Sequence, residues 1–283
     1  NINLSQNTLL TDLLLRQNQL TNLDLSSNTA LEYLECSYNQ LISLDLSNNT
    51  ALTSLKVWAN QLINLDVSQN TSLVHFACHY NPLITNLDLS NNTALVYFGA
   101  EDCQLINLDL SNSPLIERID CSNNLLTSLD LSQNTSLIDL YCNDNQLNDL
   151  DLRSGNNTII SDFFISNNPN LNCINVDDSI YSTLNWNNID SHHDFSTNCS
   201  LLLYGCTDST AFNYNSNATE NDGSCIAYIY GCTDSTQFNY NLLANTDDGT
   251  CVPIMFGCMD QLANNYSTNA NSDSGSCTYQ KTY

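Results

Sequence analysis

Apolar residues recur along residues 4 to about 171 in a fixed frame, Leu-x-x-Leu-x-Leu-x-x-Asn, which appears twice in each unit of 21 residues, with one unit of 22. In LEYLECSYNQLISLDLSNNTA (31–51) the first half is variable and the second half, LDLS, is nearly constant. Two apolar residues separated by one position fall on the same side of an extended strand, and the residue between them points away. The inward pairs predicted are Leu34/Cys36, Leu55/Val57, Phe76/Cys78, Phe98/Ala100, Ile119/Cys121 and Leu140/Cys142. So short a unit cannot bury its apolar side alone, so units must stack into a solenoid. The asparagine that follows each strand (Asn39, Asn60, Asn81, Asn124, Asn145) is expected to bend the chain and to satisfy backbone groups of the next coil through its amide.

These units resemble the short bacterial type of leucine-rich repeat, whose half-repeat echoes itself. The resemblance implies a right-handed, β-rich solenoid whose coils each lend a strand to a parallel sheet. The period fades after residue 171. The segment 172–202, with Ile174 and Trp186, looks like the C-terminal cap that closes many bacterial leucine-rich repeat domains. A second repeat with a period of 26 follows: YGCTDSTAFNYNSNATENDGSC, YGCTDSTQFNYNLLANTDDGTC and FGCMDQLANNYSTNANSDSGSC. Each unit is poor in apolar residues and bounded by cysteines, as in a mini-module that needs a disulfide for want of a core. They resemble the GCTD...DGSC repeats found in tandem in secreted bacterial surface proteins. The expected domains are the solenoid 1–171, the cap 172–202, and small disulfide-stapled modules at 203–228, 229–254 and 255–283.

Thirteen cysteines sort by position. Cys206/Cys225, Cys232/Cys251 and Cys258/Cys277 are spaced 19 apart and Cys173 and Cys199 bracket the cap, so these eight read as disulfides, which implies export. Cys36, Cys78, Cys121 and Cys142 share one apolar slot with Val57 and Ala100 and read as buried small hydrophobes. Cys103 is left over, at a position where neighbouring units carry the asparagine. Five Lys plus Arg against thirty Asp plus Glu give a net charge of −25. Nucleic acid is thereby excluded as a partner, for want of a basic surface. No apolar stretch is long enough for a spanning helix, and the first residues carry no charged n-region followed by an apolar run. A secreted or cell-surface protein is expected, with any signal or anchoring segment removed.

Asp24, Asp45, Asp66, Asp88, Asp109, Asp130 and Asp151 recur in the LDLS halves. Stacked coils would place them in a column about 5 Å apart, a repulsion on the order of 1 kcal/mol per neighbouring pair in water. Either each carboxylate accepts hydrogen bonds from its own turn, or Ca2+ sits between coils. The same alternatives hold for the module carboxylates Asp208, Asp222, Asp234, Asp248, Asp260 and Asp273: Ca2+ ligands or makers of Asp-Gly turns. His192 and His193 in the cap read as an exposed pair, with a metal as the sharper alternative. His75 and His79 lie two outward positions apart, close enough to share a metal but without an obvious third ligand.

In a solenoid the repeated positions hold the architecture and the variable outward positions meet the ligand. Here those positions carry Tyr33, Lys56, Trp58, His75, His79, Tyr97, Arg118 and Tyr141, while the LDLS side repeats Asp, Ser and Asn. Tyr, Trp and Arg supply contact area and directional bonds at low entropic cost, so the strand face is the expected binding face for a protein or polysaccharide. The competing expectation is a structural protein that self-associates, or joins an envelope component, through the solenoid or the modules. No phosphate loop, HExxH helix, nucleophile elbow or GxGxxG is present, so an enzyme is not expected.

Overall fold

The computed structural model describes residues 2–280. Residue 1 and residues 281–283, the expected ends of the solenoid and of the third module, lie outside the described residues. The chain divides into two compact units, residues 1–199 and 200–283.

The first unit is a β-solenoid. Eight three-residue strands, Asp12–Leu14, Tyr33–Glu35, Ser54–Lys56, His75–Ala77, Tyr97–Gly99, Arg118–Asp120, Asp139–Tyr141 and Asp162–Phe164, form one parallel sheet. The register is unshifted: Leu34 pairs with Leu55, Leu55 with Phe76, Phe76 with Phe98, Phe98 with Ile119. Because a one-residue slip would turn every apolar side chain to the solvent, the repeated letter fixes the register. The six predicted inward pairs are all fully buried. Truncating one of the column leucines, such as Leu55→Ala, costs about 2–5 kcal/mol, because its neighbours above and below cannot close the gap.

What turns the chain at the end of each strand is a left-handed residue that is never glycine. Gln17, Tyr38, Ala59, Tyr80, Asp102, Asn123, Asp144 and Asn167 all have φ between 51° and 61°. This conformation is strained for a side chain with a Cβ, and the residue that follows holds it. The Asn60 amide donates to Cys36 O, Val57 O and Trp58 O, and its Oδ1 accepts from Leu41 N. Asn39, Asn124 and Asn145 repeat the pattern. The expected asparagine clamp is thus a ladder of buried bonds from coil to coil. A second ladder runs through the LDLS halves, where Asn49 donates to Leu25 O and Asn28 O, and Asn70 to Leu46 O and Asn49 O.

The LDLS halves form a sheet of their own only late in the chain: Ser128–Asp130, Asp149–Asp151, Cys173–Asn175 and Asp194–Ser196 pair in parallel. Stacking therefore continues past residue 171, where the sequence period fades. Helix Ser179–Asn185, capped by Asp178 accepting from Tyr181 N, lies in this terminal region. Its C-cap residue Trp186 is buried and stacks on Phe163 with ring centroids 4.1 Å apart, donating its indole N–H to Ile160 O. The Cys173–Cys199 disulfide closes the segment. His193 corrects the expectation of an exposed pair: His192 is exposed, but His193 is buried, because its ring reaches Asn168 O at 3.3 Å and Asp190 Oδ2 at 3.4 Å.

The second unit contains three two-stranded parallel pairs, Tyr204–Gly205 with Glu220–Asn221, Tyr230–Gly231 with Thr246–Asp247, and Phe256–Gly257 with Ser272–Asp273. Cys206–Cys225, Cys232–Cys251 and Cys258–Cys277 are disulfides. Beyond Cys206, Cys232, Cys258, Ala211 and Ala263, few apolar side chains here are buried, so the disulfides take the place of a core.

Candidate functional site

The outward side chains of the large sheet form three columns, and the second sets the shape of the face. It reads Leu14, Glu35, Lys56, Ala77, Gly99, Asp120, Tyr141. The two smallest residues are adjacent at its middle, while Tyr33, His75 and Tyr97 rise on one side and Trp58, His79 and Glu101 on the other. The result is a groove of about 800 Å³ floored by Ala77 and lined by Arg16, Tyr33, Lys56, Trp58, His75, His79, Tyr97, Glu101 and Asp120, among others.

Six of the eight residues expected on the binding face, Tyr33, Lys56, Trp58, His75, His79 and Tyr97, are brought together here. Arg118 and Tyr141 extend the face beyond the groove: the Arg118 guanidinium lies 5.9 Å from the Tyr97 ring and 5.0 Å from the Tyr141 ring. Arg16 sits 5.2 Å from both the Tyr38 and Trp58 rings, and Lys56 Nζ lies 5.3 Å from the Tyr33 ring. Each cation of the strand face is thus held on aromatic rings, an attraction of about 0.5–2 kcal/mol apiece. Arg16 also approaches Glu35 at 3.9 Å, and Glu35 accepts from Tyr33 OH.

His79 points outward as expected but is buried, its ring packed against Gly99. Its Nδ1 accepts from the Glu101 backbone N–H at 3.0 Å, so the ring proton is on Nε2, which faces Tyr97 OH at 3.1 Å. Burial holds the imidazole below its usual pKa and so keeps it neutral, while burial pushes Glu101 above the usual carboxylate range. The hydrogen bond to Glu101 raises Tyr80 to about 12. Tyr38, Tyr80, Glu101, Asp120 and Gly99 were not singled out from the sequence as site residues. The first two sit at the left-handed turn position, which no letter marks, and Gly99 matters through the His79 ring of the preceding coil and the Tyr97 hydroxyl of its own.

The structure does not pair His75 with His79 at a candidate metal position. One ligand atom from each of His79, Glu101 and Asp120 lies within 4.8 Å of the others, as do those of Asp190, His192 and His193. Among the described residues these two groups contain none of the six module aspartates. Asp208, Asp222, Asp234, Asp248, Asp260 and Asp273 each accept from the backbone N–H two residues on. The solenoid column behaves alike, Asp24, Asp45, Asp66, Asp88, Asp109 and Asp130 accepting from the serine two residues on, and Asp151 from Arg153. Hydrogen bonds from serine side chain and backbone hold Asp24, Asp45, Asp66, Asp88 and Asp109 below the usual carboxylate range.

No protein-family model and no curated protein matches this chain. Among solved structures, the functional domain of InlJ from Listeria monocytogenes, which includes a cysteine ladder, is 28% identical over 63% of this chain and 47% of its own, with a TM-score of 0.53. The solenoid is a leucine-rich repeat fold. A leucine-rich repeat protein of Leptospira interrogans matches at 15% identity over 64% of this chain and 54% of its own, with a TM-score of 0.45. An internalin of Listeria monocytogenes matches at 16% identity over 66% and 82%, with a TM-score of 0.31. This chain spans about half the length of the InlJ structure. The buried column Cys36, Cys78, Cys121, Cys142 lies in one inward slot of the coils, as a ladder of thiols interrupted by Val57 and Ala100.

Proposed function

We propose that this chain is a secreted or cell-surface recognition protein whose strand-face groove binds an extracellular ligand, a protein or a polysaccharide. One observation carries the reading. Tyr33, Lys56, Trp58, His75, His79 and Tyr97 surround a concave floor made possible by Ala77 and Gly99, whereas the LDLS side repeats one short polar motif. Aromatic side chains preset by neighbouring rings give up little entropy on binding. The disulfides suit an oxidising exterior, and among the described residues no helix is long and apolar enough to cross a membrane. Biolayer interferometry of the immobilised chain against soluble polysaccharides and extracellular proteins tests the reading. Ligands found should bind Trp58→Ala at least about tenfold more weakly, while Asp45→Asn on the LDLS side binds as the parent does. Ligands indifferent to Trp58→Ala and Tyr97→Ala would move the function off this face.

Self-association is the second reading, favoured by large apolar side chains exposed in the second unit: Tyr230, Leu242, Phe256 and Leu262. Light scattering of the purified chain alone tests it, since growth with concentration in the absence of ligand supports assembly.

A further inference from the structure

Cys103 breaks the asparagine ladder at one coil, and the break has a local cause. In seven other coils the residue at this position is asparagine: Asn18, Asn39, Asn60, Asn81, Asn124, Asn145 and Asn168. From Asn39 onward each of these accepts through Oδ1 from a backbone N–H of the preceding coil, at Leu20, Leu41, Leu62, Leu105, Leu126 and Leu147. The N–H that position 103 would serve belongs to Ile84, in the one 22-residue coil. There the extra residue lets Ile84 N–H bond to Asn81 O within its own turn, so the acceptor is not needed. The donor role survives only weakly, as a Cys103 Sγ–H bond to Cys78 O at 3.5 Å.

The residue whose carbonyl it reaches is itself a cysteine. Cys78 and Cys103 are both buried thiols on adjacent coils, and the Cys103 thiol reaches the Cys78 backbone carbonyl. The other buried cysteines share the inward strand slot and have no such cross-position partner: Cys121 and Cys142 stack side by side on neighbouring strands and point the same way.

We propose that Cys78 and Cys103 are a site of oxidative modification, joined by an additional disulfide when the chain folds in an oxidising medium. The oxidant is a low-molecular-weight disulfide. One of the two thiolates attacks it and expels one thiol, and the other thiolate then attacks the protein sulfur of the mixed disulfide and expels the second. Two protons and two electrons leave the protein, and the reagent is reduced to two thiols. Both sulfurs are accessible only until the coils close over them, so the link forms during folding. Its place gives it a purpose: Cys78 precedes His79 and Cys103 follows Glu101 by two residues. The bond would fasten to each other the two coils whose side chains meet at the His79–Glu101 side of the groove.

The test refolds the reduced full chain in a glutathione buffer, denatures it without reductant and alkylates it. Mass spectrometry should count three alkylated cysteines, Cys36, Cys121 and Cys142, in place of the five that are free thiols in the structure. Non-reduced peptide mapping should join the peptides of Cys78 and Cys103. Cys103→Asn and Cys78→Val install residues that the repeat already uses at these positions, and each should fold to the same circular dichroism spectrum with four alkylated cysteines. Five alkylated cysteines in the refolded parent, or a link between any other pair such as Cys121 and Cys142, would overturn the proposal. Neither outcome bears on ligand binding, so the groove reading stands or falls separately.

Discussion

A Cβ added at position 99 would lie 2.3 Å from His79 Nε2 and 2.7 Å from Tyr97 OH. Gly99→Ala must therefore drive the imidazole out of its seat, at a cost of about 1–3 kcal/mol for overpacking a closed site. Urea titration should show that loss, and the same variant should lose binding of any groove ligand. His79 carries a second prediction. Burial holds it below the ordinary value of 6.5, with Asp120 drawing the proton and Arg118 opposing it. As the pH falls, the unfolded chain takes up this proton before the native one does. The stabilisation is thus complete above 6.5 and is lost as the pH falls through the depressed native value. Burial shifts His193 in the same direction. Urea midpoints should fall between about pH 7.5 and about pH 5.5, and His79→Gln should flatten that slope. An unchanged slope would mean that His79 titrates in the native state as it does in the unfolded one.

At the level of the coil, the clamp asparagine outweighs any single surface contact. Asn60→Ala leaves Cys36 O and Val57 O without their side-chain donor and Leu41 N without its acceptor, all in buried surroundings. The expected loss is about 2–4 kcal/mol. Asn91→Ala, which removes one exposed bond to Ser68 O, should change stability by no more than about 0.5 kcal/mol. Comparing the two urea curves checks the assignment. The clamp was legible in the sequence because its letter repeats, as were the inward leucines and the stacking they require. The left-handed residue before each clamp was not: Gln17, Tyr38 and Ala59 share no chemistry that announces a positive φ, and tertiary bonds impose it. Nor was the second sheet, since the LDL triplets before residue 128 read like those after it yet form no ladder. Of the groove, the aromatic and basic lining could be read from the variable column. Its depth could not, because that depends on how the His79 and Tyr97 side chains settle around Gly99.

Over the whole molecule the dominant field is that of a chain with net charge −25. The column aspartates Asp24, Asp45, Asp66, Asp88 and Asp109 are held as anions by local hydrogen bonds, yet together they repel. In the column Asp24 to Asp151, like charges recur at every coil, and proximity to Asp24 works against the ionisation of Asp45, as Asp88 and Asp45 do for Asp66. The Debye length falls from about 30 Å at 0.01 M salt to about 10 Å at 0.1 M, so salt cancels the interaction between distant coils first and that between adjacent ones last. The melting temperature should therefore climb with NaCl most steeply at low concentration. Asp45→Asn with Asp66→Asn removes two adjacent charges while asparagine can still close the same local turn. This double variant should melt above the parent in dilute buffer, and the gap should narrow as salt is added. On this account Ca2+ at matched ionic strength does no more than Na+. A further rise with Ca2+ that EDTA reverses and the double variant lacks would instead place ions between the aspartates, and the column would then be a cation ladder in place of a screened row of anions.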